Sequence, residues 1–441
     1  MISEMMCSLR NTSFWLLDSL KGGFVKKAYE RLRKFEKMDS KDPELLGLQQ
    51  TALQSLLHHS LKTTAFYEKL QCDGLSSFPV INKAIIREQQ NAFISSKFDK
   101  ASLSVMTTSG STGTPFVCYQ DSIKRKAVNA EVIYYSEKAG YSVGKKIVFL
   151  RVLTEKSQKS KLHQWIQNEK LLDISNLDDW HIEILLENIK TNSKKGAMLL
   201  AYASTLDALC DYFLRKGASY ESGINLSGIV SSSEILNDNT RDIVRNVFNC
   251  QCFSRYSNQE NGVIGQDDVK NNVFIINEAH YLVEVLEMET DEPTAEGEIG
   301  RIVITDLYNY AMPMIRYDTG DIGAIVYVTR NNLTKKAIAN FGGRKVDVVY
   351  DCDGNRLSPH IITNNLWSFP EICQFQFIQE SGKRYTIKIN TKAEFQRSEE
   401  LRMRLIKLLG ADSEIDIASV DELPVLASGK RKYIVNNMHL S

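Results

Sequence analysis

Thr107-Thr108-Ser109-Gly110-Ser111-Thr112-Gly113-Thr114-Pro115 is the stretch on which the reading of this chain turns. Six of its nine residues carry hydroxyls, two are glycines and none is bulky. Glycine lets the backbone turn tightly and brings its N–H groups close to a ligand. Converging N–H groups and hydroxyls suit an anionic phosphate. The stretch therefore reads as a phosphate-holding loop. It is not a Walker A loop, because no Lys follows the second glycine in a G-x-x-x-x-G-K-[ST] frame. The competing reading is a flexible Ser/Thr/Gly linker, so the neighbouring sequence has to decide.

Beyond the loop the pattern alternates. Ile147-Val148-Phe149-Leu150, Met198-Leu199-Leu200-Ala201 and Gly228-Ile229-Val230 are short apolar runs of the buried-strand kind. Between and after them, Leu206, Leu209, Cys210 and Phe213, then Ile243, Val244, Val247 and Phe248, recur at helical spacing. Strands alternating with helices imply an α/β domain with a largely parallel sheet. From Val273 the character changes. Val273–Ile276, Tyr281–Val285, Gly300–Ile304 and Ile322–Val326 are closely spaced strands that predict a β-rich subdomain. A boundary is expected near Phe341-Gly342-Gly343-Arg344, giving a large N-terminal domain over 1–342 and a small, mobile α+β domain over 343–441.

Ahead of the loop, residues 1–40 mix basic and apolar residues and predict helix. Asp42-Pro43-Glu44 is a helix start: N-cap, proline in the first turn, acid at the positive end of the dipole. Leu46, Leu53, Leu56, Leu57 and Leu61 follow at helical spacing. Pro79 interrupts this region by disfavouring helix at Phe78, and Asn82 can cap a short helix from Lys83. The apolar patch Phe14-Trp15-Leu16-Leu17 is too short for a signal-peptide core and meets Asp18 at once, so it predicts a helix face packed on the body of the protein.

Composition bounds the function. The chain has 441 residues with 43% hydrophobic content, enough for a large core and too much for one ordinary domain. Lys+Arg and Asp+Glu both total 54, which argues against a general nucleic-acid binder. No apolar run reaches membrane-spanning length. Of eight cysteines only Cys250 and Cys252 are close, and Cys-x-Cys without a second pair is a poor zinc signal. They are expected in a buried strand as small apolar residues. A reduced, cytoplasmic protein is the expectation.

Four later stretches carry chemistry. Ser232-Ser233-Glu234 follows a buried strand, where α/β sheets bind ligands; an ordinary N-cap is the plain alternative. In Tyr256-Ser257-Asn258-Gln259-Glu260-Asn261-Gly262 the carboxylate can hold Mg²⁺ against phosphates, and Tyr256 can stack on a flat base; otherwise this is a polar turn. In Ile315-Arg316-Tyr317-Asp318-Thr319-Gly320-Asp321, Asp321 can accept hydrogen bonds from two ribose hydroxyls, unless the stretch is simply a β-turn. Arg344 can reach the ribose or a phosphate as a fixed cation. Leu423-Pro424-Val425-Leu426-Ala427-Ser428-Gly429-Lys430 offers a cation on a glycine turn. Two histidines and a tryptophan, His163, His181 and Trp165, are assigned to surface helices rather than to a pocket.

Taken together these residues resemble the adenylate-forming superfamily of acyl-CoA synthetases, peptide-synthetase adenylation domains and luciferases. Ser109 to Gly113 is similar to its phosphate loop, Tyr256 to Glu260 to its Tyr-x-x-x-Glu motif, and Tyr317 to Asp321 to its ribose motif. Gly343-Arg344 resembles its hinge motif and Ser428-Gly429-Lys430 its catalytic-lysine loop. The N-terminal segment, through Thr64-Ala65-Phe66-Tyr67 and Phe78-Pro79-Val80-Ile81-Asn82-Lys83, looks like the phenylacetate–CoA ligase branch. Asp353-Gly354-Asn355-Arg356-Leu357-Ser358-Pro359-His360 is closest to the CapK-like proteins of capsule and O-antigen gene clusters.

The resemblance implies ATP-dependent activation of a small carboxylic acid to an acyl-adenylate, then transfer to CoA. In that scheme Ser109, Gly110, Ser111, Thr112, Gly113 and Thr114 hold phosphates, Ser233 and Glu234 border the nucleotide and acyl site, Glu260 holds Mg²⁺, Asp321 and Arg344 hold the ribose, and Lys430 meets the carboxylate and α-phosphate. Three positions depart from the pattern. Thr114 stands where many members carry Lys. Val346 occupies the usual hinge position, leaving Asp347 as the hinge candidate. Asp351-Cys352-Asp353-Gly354 lacks the Gly-rich form of CoA-using members, which keeps an amine acceptor, an amino sugar or amino acid, as an alternative to CoA. A catalytically silent nucleotide-binding scaffold is a third reading, against which the intact Glu260, Asp321 and Lys430 weigh.

Overall fold

Three helices lead the chain in the computed structural model: α1 (Ile2–Leu20), α2 (Phe24–Glu36) and α3 (Pro43–Thr63). The structure describes all residues except 1, 109–115, 152, 154–158, 175–176, 218–222, 233–235, 345–348, 355, 358–361, 363–364, 367, 392, 424–432 and 439–441. Helix α3 starts as its sequence dictates, with Asp42 accepting a hydrogen bond from the Glu44 amide and Pro43 in the first turn. Asn82 likewise accepts from the amides of Ala84 and Ile85 and caps α4 (Lys83–Glu88). In α1, Phe14 and Trp15 pack inward, Trp15 lying 5.5 Å from the Tyr29 ring. Leu16 and Leu17, however, are 59% and 53% exposed. Four consecutive residues span most of a helical turn, so the patch cannot bury as one face.

The hairpin β1 (Ser104–Thr108) and β2 (Phe116–Gln120) flanks segment 109–115, with Thr108 paired to Phe116. Asp121 then caps α5 (Ser122–Glu137). An alternating run follows: β3 (Lys146–Arg151), α6 (Lys161–Gln167), β4 (Glu169–Asp173), α7 (Asp179–Ser193), β5 (Ala197–Tyr202), α8 (Ala203–Lys216), β6 (Leu226–Ser232), α9 (Asp238–Phe248) and β7 (Cys252–Asn258). Strands β3 to β7 pair in parallel, the α/β unit that the alternating pattern predicts. Val148, Leu199 and Ile229 are fully buried where this half of the sheet meets α7, α8 and α9. Cys252 is buried in β7, but Cys250 sits outside the strand and is only half-buried; all eight cysteines are free thiols. His163 and Trp165 lie on α6 and His181 on α7, with Trp165 exposed.

The remaining strands of this part are β8 (Gly262–Asp268), β9 (Val273–Ile276), β10 (Tyr281–Leu286), β11 (Gly300–Asp306), β12 (Tyr317–Arg330) and β13 (Leu333–Arg344). They form the β-rich part that the spacing predicts and continue the sheet of the parallel half. One sheet runs in the order β10-β11-β12-β13-β9-β8-β7-β6-β5-β3-β4. The chain reverses between β7 and β8, and from there the pairing is antiparallel, so the same ladder continues past the reversal. The Asp318-Thr319-Gly320-Asp321 segment is not a turn. It lies inside β12, whose register shifts between Ile322 and Ala324, a bulge that bends the strand without ending it.

Residues 349 onward contribute β14 (Val349–Tyr350), β15 (Arg356–Leu357), β16 (Ile372–Gln379), β17 (Arg384–Thr391), α10 (Ser398–Leu409), β18 (Glu414–Ser419) and β19 (Ile434–Asn436). A second sheet, β18-β17-β16-β19, packs Phe375, Phe377 and Ile387 against Leu401 and Leu405 of α10. Among the described residues no helix is long and apolar enough to cross a membrane.

Leu199 lies at the centre of the parallel half with no exposed surface. Leu199→Ala is expected to cost about 2–5 kcal/mol, the usual range for a large-to-small core change, read as a fall in denaturant midpoint at unchanged slope.

Candidate active site

The reversal between β7 and β8 is the turn that carries Glu260. Its backbone is held from several sides. The Asn261 amide donates to Asn258 Oδ1 at 2.7 Å. Gln120 Nε2 donates to the Glu260 carbonyl at 2.8 Å. Beneath the turn lies a set of fully buried polar groups. Glu131 of α5 accepts from the Val263 amide at 2.8 Å and from the Tyr281 hydroxyl at 2.7 Å, and His280 Nδ1 lies 2.7 Å from the same carboxylate. The Tyr281 oxygen is also 2.8 Å from the Asn261 carbonyl and accepts from Lys124 Nζ at 3.1 Å. Lys124 is paired in turn with Asp306 at 2.6 Å. Burial pushes the Asp306 carboxyl up from its ordinary range, opposed by Lys124. Gly262 is required here: its φ is +127°, and a Cβ would stand 2.3 Å from Glu131 Oε2.

The Glu260 side chain is itself buried, 2% exposed. Lys83 Nζ lies 2.7 Å from Glu260 Oε1, and the Tyr317 hydroxyl donates to the same oxygen at 3.3 Å. Lys83 comes from the first turn of α4, which Asn82 fixes, and its ammonium also lies 5.6 Å from the Phe116 ring centroid. Phe116 is the residue at which the chain re-emerges from segment 109–115.

A second carboxylate stands on β12. The Tyr256 hydroxyl donates to Asp321 Oδ2 at 2.8 Å and lies 3.4 Å from Thr319 Oγ1. The Asp321 amide donates to the same Thr319 oxygen at 3.1 Å. Arg301 pairs with Asp318 at 2.9 Å and steadies the strand just before. Burial first, and the Asp321 charge second, push the Tyr256 hydroxyl well above its ordinary pKa, so it remains a donor. Burial and the Glu260 charge do the same for Tyr317.

The Tyr256 ring packs 4.4 Å from Phe341 and 6.3 Å from Phe274. Its hydroxyl, bonded to Asp321, holds that carboxylate's orientation. Arg344 pairs with Asp321 through the backbone ladder of β12 and β13. The structure thus brings Tyr256, Glu260 and Asp321 together. Ser109, Gly110, Ser111, Thr112, Gly113, Thr114, Ser233, Glu234 and Lys430 lie outside the described residues, as does the hinge candidate Asp347. Ser232 ends β6 at the same edge of the sheet, and the Ser231 hydroxyl beside it is buried without a hydrogen-bond partner among the described residues. Two residues of the cluster, Lys83 and Tyr317, were not singled out as site residues by the sequence reading. The available signal for Lys83 was its place directly after the Asn82 cap.

Among the described residues no group of three or more His, Cys, Asp or Glu side chains could cage a metal. A single buried carboxylate, touched by both its neighbours on Oε1, fits a cation held mainly by phosphate oxygens, which is how Mg²⁺ binds at nucleotide sites.

Comparison with known proteins gives the relatives of this chain and of its fold. Residues 349–437 match the family model of the CapK C-terminal domain. Protein CapK of Staphylococcus aureus is 23% identical over 463 aligned positions, covering 99% of this chain and 97% of that one. The chain is similar to CapK along its whole length and has the fold of a CoA ligase. A stretch of 50 residues is 46% identical to phenylacetate-coenzyme A ligase of Thermus thermophilus, covering 11% of each protein. Among solved structures, 2-hydroxyisobutyryl-CoA ligase in its postadenylation state superposes with a TM-score of 0.70 at 13% identity, over 91% of this chain and 92% of that one. The same ligase in its thioesterification state, with adenylate and CoA, gives 0.57 at 14% identity, over 90% and 91%.

Gly262→Ala is expected to strain the Glu260 turn by about 1–3 kcal/mol from φ alone, plus the collision with Glu131. Gly382, where a Cβ meets nothing within 4 Å and φ is not positive, is the control: Gly382→Ala is expected to stay within about 0.5 kcal/mol of wild type. Chemical denaturation of both variants checks the contrast.

Proposed function

We propose that this protein activates a small carboxylic acid with ATP and passes the acyl group to an acceptor, with CoA the first candidate. ATP is here a substrate. A carboxylate oxygen attacks the α-phosphorus, the bond to the bridging oxygen of the β-phosphate breaks, and pyrophosphate leaves. The acceptor's nucleophile then attacks the acyl carbon and the bond to AMP breaks. The observation that carries this reading is the convergence of Glu260, in the turn between β7 and β8, with Lys83 and Tyr317, and of Asp321 on β12 with Tyr256 and Thr319.

The protein's part is positioning and charge stabilisation. Ser109 to Thr114 cradle the outer phosphates. Lys83 supplies the cation that Thr114 does not, and moves from Glu260 to a phosphate oxygen when ATP binds. Glu260, once released, offers its carboxylate to Mg²⁺, which neutralises phosphate charge. Asp321, with Tyr256 holding one oxygen, presents its carboxylate to the ribose hydroxyls beside Arg344. Ser233 and Glu234 border the nucleotide and the acid. Lys430 meets the carboxylate and α-phosphate oxygens as negative charge moves between them.

Residues 343–441 act as a lid that closes over the larger part and pivots near Arg344 and Asp347. The better superposition on the postadenylation form than on the thioesterification form supports reading the present arrangement as one that precedes acyl transfer. ATP and CoA place the reaction in the cytoplasm. Transfer to an amine in surface-polysaccharide assembly is the second reading, favoured by the relation to CapK and by Asp351-Cys352-Asp353-Gly354.

Carboxylate-dependent ATP–pyrophosphate exchange across aryl, aliphatic, hydroxy and amino acids tests the first half-reaction without an acceptor; silence across the panel from ATP-binding protein sinks it. Lys430→Ala is expected to lower exchange by about 10² to 10³, the usual cost of losing one donor at developing charge; a near wild-type rate removes Lys430 from the chemistry. Lys83→Ala is expected to raise the ATP KM about tenfold, the scale of one charge-assisted hydrogen bond, and steady-state kinetics in ATP reads it directly.

A further inference from the structure

Helix α8 meets the C-terminal sheet at a polar contact that none of the roles above uses. The Tyr433 hydroxyl donates to Asp207 Oδ2 at 3.2 Å. This hydrogen bond joins residues 2–344 to residues 349–438. A second contact across the same division is apolar, Tyr350 against Met288 and Ile322. Tyr350 follows the connecting segment 345–348 almost directly, so its contact stays close to any pivot there. Tyr433 lies far along the chain from that pivot and three residues after Lys430.

Both ends of the contact are fixed by their own part of the fold. Asp207 Oδ1 accepts from Thr240 Oγ1 of α9 at 2.7 Å, which holds the carboxylate's orientation on α8. The Tyr433 carbonyl accepts from the Phe377 amide at 2.8 Å, and its ring lies 5.3 Å from that of Phe375, a fully buried residue of the C-terminal sheet. Neither side chain is free to follow the other through a rotation of the sheet. The hydrogen bond therefore exists in one relative orientation of the two parts and is lost in others.

We propose that Tyr433 and Asp207 are positioning residues for the adenylation step, joined in the orientation that delivers Lys430 to the α-phosphate and parted before acyl transfer. This rests on the adenylation reading given above. It assigns to Tyr433 no contact with substrate; the residue acts through the placement of Lys430.

The test uses the full chain as wild type, Tyr433→Phe, Asp207→Asn and the double variant. Tyr433→Phe removes one oxygen at a half-buried site and leaves the ring on Phe375. Its ATP–pyrophosphate exchange is expected to fall about tenfold in kcat, as for loss of one hydrogen bond to a charged acceptor. The ATP KM and the thermal midpoint are expected to match wild type, which a merely structural loss would not allow. The double variant is expected to be no slower than the slower single one. Wild-type exchange in Tyr433→Phe, or losses that add in the double variant, overturns the proposal. Hydrogen exchange of unliganded protein separates its failure from failure of the functional reading. Amides of α8 are expected to exchange faster in Tyr433→Phe than in wild type while those of β6 do not change. Equal rates in α8 overturn the contact even if no acid supports pyrophosphate exchange.

Discussion

Three charges taken wholly out of water support the centre of this molecule. Lys124, Glu131 and Asp306 have no exposed side-chain surface, and burial of an ion costs several kcal/mol unless partners meet it. Here the partners are found: Lys124 pairs with Asp306, and Glu131 takes hydrogen bonds from Tyr281 and the Val263 amide with His280 alongside. Tyr281 lies between the two halves of the set and reaches the Asn261 carbonyl. The groups that neutralise one another are therefore the groups that fix the turn from Asn258 to Gly262. At that turn the sheet passes from its parallel half to its antiparallel half. The reversal of the sheet and the placing of Glu260 have a single physical support.

Each carboxylate of the site is matched to a tyrosine. Tyr317 donates to Glu260 and Tyr256 to Asp321. Both hydroxyls are buried, and both are held well above their ordinary pKa by that burial and by the neighbouring carboxylate. A phenol that stays protonated beside a carboxylate keeps its geometry across the working pH range. Such fixed dipoles need little reorganisation when charge moves, which is where preorganised sites gain rate.

Local chemistry was legible in the sequence and long-range pairing was not. The caps at Asp42 and Asn82, the parallel strands with their helices, and the cluster of Tyr256, Glu260 and Asp321 follow from spacing, capping and motif order. The strands from Val273 onward were legible as a β-rich part, but not their pairing, because periodicity reports which face is buried and not which neighbour a strand pairs with. Only the register of β8 against β7 shows that they extend the same sheet. The motif around Tyr256 carries no sign of Phe341, which is far along the chain and packs against its ring. Lys83 was hidden for a similar reason: a lysine after an N-cap is ordinarily solvated, and its partner Glu260 lies 177 positions away, from 83 to 260.

The acids of the site sit on the frame, and the cation paired with Glu260 comes from outside it. Glu260 follows β7 and Asp321 lies within β12, both tied into the eleven-stranded sheet. Lys83 projects from a helix of six residues, and its side chain is a third exposed. This asymmetry has a physical logic for a site that must take up and release polyphosphate. A rigid carboxylate can be prepared in advance, because burial and hydrogen bonds hold it at no further entropic cost. A rigid cation beside it would form a closed pair that ATP has to break in full. A lysine on a short, exposed helix gives up its ion pair at less cost, since solvent and the incoming phosphate share the replacement. The Glu260–Lys83 pair keeps a buried carboxylate satisfied, and under the proposed function its looseness on one side would let a phosphate take the ammonium.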